Sequence, residues 1–115
     1  MKVYGIPNCN TVKKALDWLK ENHLDFEFHD FKKLGIEESK LKEWADQVGW
    51  ETLINNRGTT WKKLDTKTQL SISNESAAFQ LMQQKPSIIK RPLIEHKGSI
   101  LQGFDADAYE KHFKV

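Results

Sequence analysis

"MKVYGIPNCNTVKKALDWLK", residues 1–20, changes its hydrophobic period within a few residues, and that change sets the fold class. Lys2 to Tyr4 reads as a short strand, which Gly5, Pro7 and Asn8 break into a turn. Val12, Ala15, Leu16 and Leu19 then recur at the spacing of one buried helical face, while Lys13, Lys14, Asp17 and Lys20 take the wet side. Cys9 therefore falls at or just outside the first turn of a helix. Beyond it, "FEFHDF", residues 26–31, alternates apolar with polar as a half-buried strand does. Two strands joined by a helix of this length are most simply parallel, so the opening predicts a βαβ unit with Cys9 at the carboxyl end of its first strand.

Working outward, the middle of the chain reads as helical. Leu41, Trp44, Ala45 and Val48 repeat the helical spacing, and Ser39 or the acidic pair Glu37 and Glu38 suits the start. Short helices are expected through "WETLINNRGTTWKKL" and in "NESAAFQLMQQKP", where Ala77, Ala78, Leu81 and Met82 form an apolar stripe that Pro86 ends. "RPLIEHKGSILQ" has two short apolar runs separated by His96 to Gly98, the pattern of a hairpin with a glycine turn. "FDADAYEKHF" begins at an Asp105 cap and predicts a final helix packing Ala108, Tyr109 and Phe113. The order is βαβ, a helical block, then ββα.

Composition bounds the function. With 115 residues, 38% hydrophobic and 30% charged, the chain suits one domain with a modest core. Eighteen Lys and Arg against sixteen Asp and Glu leave a net charge of +2, too balanced to imply a nucleic-acid or membrane surface. No run approaches a membrane span, the N-terminus lacks the apolar stretch of a secretory signal, and one cysteine cannot form an internal disulfide. The expectation is a cytoplasmic protein. The four histidines, His23, His29, His96 and His112, show no metal-ligand spacing with each other or with Cys9, so no metal site is expected.

Cys9 carries the chemistry if any residue does. A thiolate attacks and a thiol does not, so the question is how far the site lowers a reference pKa of about 8.5. Free amide N–H groups at a helix N-terminus favour an anion, and Lys13 and Lys14 lie a turn away. A lone cysteine is often a small buried hydrophobe. Flanked by Asn8, Asn10 and Thr11 in a strand-to-helix turn, this one is poorly placed for a core and well placed for an exposed site. Arg91 precedes Pro92 at the entrance to the hairpin, with the isomer of that bond left open, and Arg57 lies in the polar loop "NNRGTTW".

These residues carry a resemblance. "YGIPNCNTVKKALDWL", "NNRGTTWKKL" and "KPSIIKRPLIEHKGSILQGF", in that order, resemble the ArsC and Spx family, most closely its YffB-type branch, over essentially the whole chain. The resemblance implies an α/β thioredoxin-like (glutaredoxin-like) fold: a single domain over residues 1–115 with a mixed four-stranded sheet, a helical insertion at about 36–86, and a cis proline at Pro92 facing the cysteine. By position it makes Cys9 the catalytic cysteine, Arg57 an anion-binding arginine and Arg91 the arginine before the cis proline, with Asn8, Asn10, Thr11, Lys13 and Pro92 completing the substrate- and anion-binding set. In arsenate reductases of this type the cysteine attacks arsenate, and glutathione with glutaredoxin completes the reduction. Those enzymes carry a histidine four residues before the cysteine, an arginine four residues after it and another late in the chain, where this sequence has Gly5, Lys13 and the neighbourhood of Gly103. Lys13 keeps the charge without the bidentate fork, which weighs against arsenate as the substrate.

The expected function is therefore a glutathione-dependent thiol/disulfide oxidoreductase with no bound cofactor. Glutathione or another small thiol serves as co-substrate, and glutaredoxin is a further candidate partner. The alternative is an Spx-like protein that binds RNA polymerase. Spx-type relatives use a C-x-x-C switch, and Val12 occupies its second position here, so an intramolecular switch is excluded.

Overall fold

In the computed structural model, which describes residues 1–115, the chain divides into two compact units, Met1–Asp30 with Arg91–Val115, and Phe31–Lys90. The first unit is built on β1 (Lys2–Gly5), an interior strand whose Val3 and Tyr4 are buried. It pairs in parallel with β2 (Glu27–Asp30), Val3 opposite Phe28, and antiparallel with β3 (Leu93–His96), Val3 opposite Ile94. β4 (Ser99–Gln102) closes the hairpin, giving a mixed four-stranded sheet in the order β2-β1-β3-β4. The connection from β3 to β4 is Lys97-Gly98, both at positive φ (51° and 82°). Two such residues match the twist of the flanking strands, and glycine bears that conformation without steric cost.

α1 (Asn10–Glu21) follows β1 and packs Val12, Ala15 and Leu19 inward, the expected face, with Leu16 half-buried. Val3, Ala15, Leu19, Ile94 and Tyr109 form one apolar cluster, so the sheet, α1 and the C-terminal helix share a core. Gly5 is the condition for the approach of helix to strand. A Cβ there would stand 2.9 Å from Val12 Cγ2 and 3.3 Å from Val12 Cγ1, inside van der Waals contact.

The C-terminal helix, Ala106–Phe113, is capped by Asp105, whose Oδ1 accepts from the amides of Asp107 (3.0 Å) and Ala108 (3.3 Å). It does not pack Ala108, contrary to the pattern expected from sequence; Ala108 is exposed. Tyr109 holds the buried position, its ring edge-on to Trp18 and its hydroxyl donating to the Gly103 carbonyl. Successive helical residues are rotated by about 100°, so burying Tyr109 turns Ala108 outward.

The second unit is helical. β2 ends at Asp30, one residue short of the expected strand, because Phe31 opens a helical turn, α2 (Phe31–Leu34), and sets its ring edge-on to Trp44 at 6.5 Å. α3 (Glu38–Val48) buries Leu41, Trp44 and Ala45. The short turns α4 (Trp50–Leu53), α5 (Thr59–Lys62) and α6 (Thr66–Ser71) follow. α7 (Glu75–Gln84) starts at Asn74, which accepts from the Ala77 amide, and buries Ala78, Phe79, Leu81 and Met82. Phe79 thus takes the place expected for Ala77, which is only half-buried. A 3₁₀ turn at Pro86–Ile88 leads to an antiparallel bridge between Ile54 and Ile89. The C-terminal helix of the first unit completes the order as α8.

Gly5→Ala is expected to cost about 1–3 kcal/mol, the usual range for overpacking, because fully buried Val12 has nowhere to move. The measurement is a lower urea midpoint at unchanged m. Placing Gly5→Ala in a Val12→Ala background, where the clashing methyls are gone, should recover most of that increment.

Candidate active site

The site is built where β1 hands over to α1. The strand ends at Gly5, Pro7 and Asn8 form the turn, and the Cys9 amide closes it onto the Ile6 carbonyl at 3.3 Å. Cys9 is the N-cap residue of α1, with extended backbone (φ −101°, ψ 124°), and its carbonyl accepts the first helical bond from the Lys13 amide at 3.0 Å. Its side chain is half-buried, and the thiol is not paired in a disulfide. This geometry aims Sγ at the donors of the first turn, which have no partner within the helix.

Two opposing effects set the charge of that sulfur. Partial burial is the largest and pushes the thiol up; the Val12 amide, a hydrogen bond from the Arg91 guanidinium, its positive charge and the Thr11 amide all push it down. The second group prevails, so Cys9 titrates below its ordinary value. A neutral thiol is a poor acceptor, and the side chain makes no conventional cap hydrogen bond. The amides act on the anion.

Arg91 reaches the cysteine from the other arm of the first unit. The Arg91–Pro92 bond is cis, Pro92 is buried, and its carbonyl accepts from the Gly103 amide at 2.8 Å, fixing the chain as it enters β3. Tyr4 pairs with Leu93 across the β1–β3 ladder, which ties the two arms together next to the cysteine.

The other sequence-derived residues divide clearly. Asn8, Asn10, Thr11 and Lys13 are exposed around Cys9, and of these only Thr11 acts on the thiol, through its backbone. Lys13 and Lys14 point to solvent and add nothing to the downward shift, contrary to the field expected of them. Arg57 belongs to the second unit and is exposed. Its amide donates to Asn55 Oδ1 at 3.2 Å, and beside it a Cβ on Gly58 would stand 2.8 Å from Asn55 Nδ2, so a larger residue there would displace that side chain. The Val12 amide is the donor that sequence reasoning passed over, since Val12 registers only as a buried apolar residue. Its signal was positional: third residue after an N-cap, where orphan donors converge.

No cluster of three or more His, Cys, Asp or Glu could hold a metal ion. What remains is a single activated thiol at a helix mouth, beside a cis proline, on a sheet of order β2-β1-β3-β4. These features define a thioredoxin-like α/β protein. The chain belongs to the ArsC family, whose profile spans residues 4–112. It is similar to the solved structure of a YffB protein, with 43% identity, 96% of each chain covered and a TM-score of 0.90. It is also similar to an arsenate reductase (ArsC) related protein from Brucella melitensis (39% identity, 99% of this chain and 94% of that one, TM-score 0.77). The global transcriptional regulator Spx 1 of Oceanobacillus iheyensis is 28% identical over 91% of this chain and 80% of its own length.

The expected pH dependence follows from the sign of the shift. A group whose folded pKa is depressed holds more of its anion at any pH below the unperturbed value, so Cys9 should react with iodoacetamide at a midpoint below that of an unstructured cysteine peptide, about 8.5. Arg91→Ala removes both a donor and a charge and should move the midpoint up; Lys13→Ala should leave it nearly unchanged. A midpoint in Arg91→Ala equal to wild type would show that the guanidinium does not act on the sulfur.

Proposed function

We propose that this protein is a glutathione-dependent thiol/disulfide oxidoreductase in which Cys9 is the nucleophile. The observation that carries the reading is the depressed Cys9 thiol, held by the Val12 and Thr11 amides and by Arg91 against the opposing effect of burial. ArsC-family membership and similarity to an arsenate reductase related protein support a reductase-like role.

The chemistry balances with two thiol exchanges. The Cys9 thiolate attacks the glutathione sulfur of a mixed disulfide R–S–S–G, forming Cys9–S–S–G and releasing RS⁻, which takes a proton from solvent. A second glutathione thiolate then attacks that intermediate, forming oxidised glutathione and regenerating the Cys9 thiolate. The chain has one cysteine, so the resolving thiol must come from outside. Pro92 has no N–H and its carbonyl is engaged by Gly103, so strand-like docking of the glutathione backbone falls to the segment just before it. Arg91 is the cation that meets developing negative charge on the leaving sulfur. Asn8, Asn10 and Lys13 are the exposed polar contacts around the thiol.

A second reading, a role in transcriptional regulation, is supported by the 28% identity to the global transcriptional regulator Spx 1, and its expected form is binding of RNA polymerase. Val12 is buried where a switch of the C-x-x-C type would need its second cysteine, so such binding would not be gated by an internal disulfide.

Turnover of a small glutathionylated disulfide with glutathione, coupled to glutathione reductase, tests the first reading. Wild type should turn over and Cys9→Ser should fall to background. Arg91→Ala should lose roughly tenfold to a hundredfold in kcat/KM, the loss of one hydrogen bond to a charged group. Wild-type activity no greater than Cys9→Ser, together with retention of purified RNA polymerase on the immobilised protein, would favour the second.

A further inference from the structure

At the end of β3 away from the cysteine, the hairpin and the last turn of α8 bring two histidines together. His96 Nδ1 and His112 Nε2 are 3.2 Å apart, a hydrogen bond in which one ring donates and the other accepts. Both rings pack against Phe113 with centroids 4.9 Å away, His96 tilted and His112 edge-on. They line a concavity of about 180 Å³ with Lys97, Ser99, Phe113 and Lys114. No acidic side chain lines it, and neither lysine is in a salt bridge.

We propose that this concavity is a binding site for a small tetrahedral dianion of the phosphate or sulfate type, filled when the two histidines carry protons. The shared hydrogen bond exists only while one ring nitrogen lacks its hydrogen. When both rings are protonated, two N–H groups face each other and the bond becomes a repulsion. The rings then turn apart from their 3.2 Å contact, an oxyanion in the concavity accepts from both, and the Ser99 hydroxyl and the two ammonium groups supply further donors. The concavity is large enough for such an ion.

The surrounding charges favour an anion over a metal. Paired imidazoles alone would also suit a transition metal, but the cations at the rim oppose one. The fields on His96 agree: burial first, then His112, Lys97 and the N-terminal ammonium all hold its pKa below the ordinary value. Every one of those charges is positive. The opposing negative field comes from the carboxyl end of α8, equivalent to about half an elementary charge, and from the Val115 carboxylate, and the two ammonium groups exceed their sum.

Inorganic sulfate is the appropriate probe, because it stays doubly charged throughout the histidine range and any pH dependence therefore belongs to the protein. Titrated at constant ionic strength and followed by the ring resonances of His96 and His112, sulfate should bind at least tenfold more tightly at pH 5.5 than at pH 8, and should raise the titration midpoint of His96. Lys97→Asn, chosen because asparagine tolerates the positive φ of that turn, should weaken binding severalfold while circular dichroism shows the fold intact. His96→Gln, which leaves only the His112 ring to gain a proton, should reduce the pH dependence, and His96→Gln with His112→Gln should abolish it. Equal affinity at the two pH values, identical shifts with chloride at matched ionic strength, or preferential binding of Zn²⁺ would each overturn the proposal. Cys9 alkylation is a separate readout, so a failure here is distinct from a failure of the thiol chemistry.

Discussion

The contact between Gly5 and Val12 sets how closely the first helix approaches the sheet. With no side chain on Gly5, α1 can begin against the end of β1, and Cys9 becomes its N-cap rather than a residue of the strand or the helix interior. From that position the sulfur meets the unpaired amides of the first turn. A helix displaced outward by a methyl group would keep its sequence, its amphipathic face and its length. It would keep its own amides around the sulfur and lose the short approach of Arg91, which enters from the strand side.

The same region shows why a cysteine can be both partly buried and reactive. Burial works against the thiolate, and in an apolar pocket without donors it would win. Here Arg91 arrives from residues 82 positions later in the chain, carried by the pairing of Tyr4 with Leu93, and adds a donor and a charge to the two amides. The lysines nearest in sequence do not share that role. They sit on the wet face of α1 because Val12, Ala15 and Leu19 occupy the other, and a charge in water is screened within about 10 Å at ordinary ionic strength. Proximity along the chain is a poor guide to proximity in an electrostatic field.

Periodicity was most informative where one apolar face dominates. α1, α3 and the β3–β4 hairpin lie where the spacing of Val12, Leu41 and Leu93 and their neighbours puts them. It failed where burial depends on partners distant in sequence. Phe31 looked like the last residue of an alternating strand and instead opens a helical turn, because its ring packs with Trp44. α6 buries no residue and has no stripe to read; its one signal is Asp65 accepting from the Thr68 amide at 2.7 Å. Ala108 and Tyr109 are adjacent apolar residues, and only the packing of Tyr109 against Trp18 and Gly103 decides which of them faces in.

The order of elements, the lone cysteine before a helix and the absence of a resolving partner were all determined by sequence, because they depend on residue identity and on repeat lengths of a few residues. The cis bond at Arg91–Pro92 agrees with what the family resemblance implied, while the choice of Arg91 over Lys13 as the cation on the sulfur and the meeting of His96 with His112 belong to the tertiary structure. The last two each bring together segments far apart in the chain, placed by the packing of β1, β3 and α8 around Val3 and Tyr109, and local spacing carries no record of such distances.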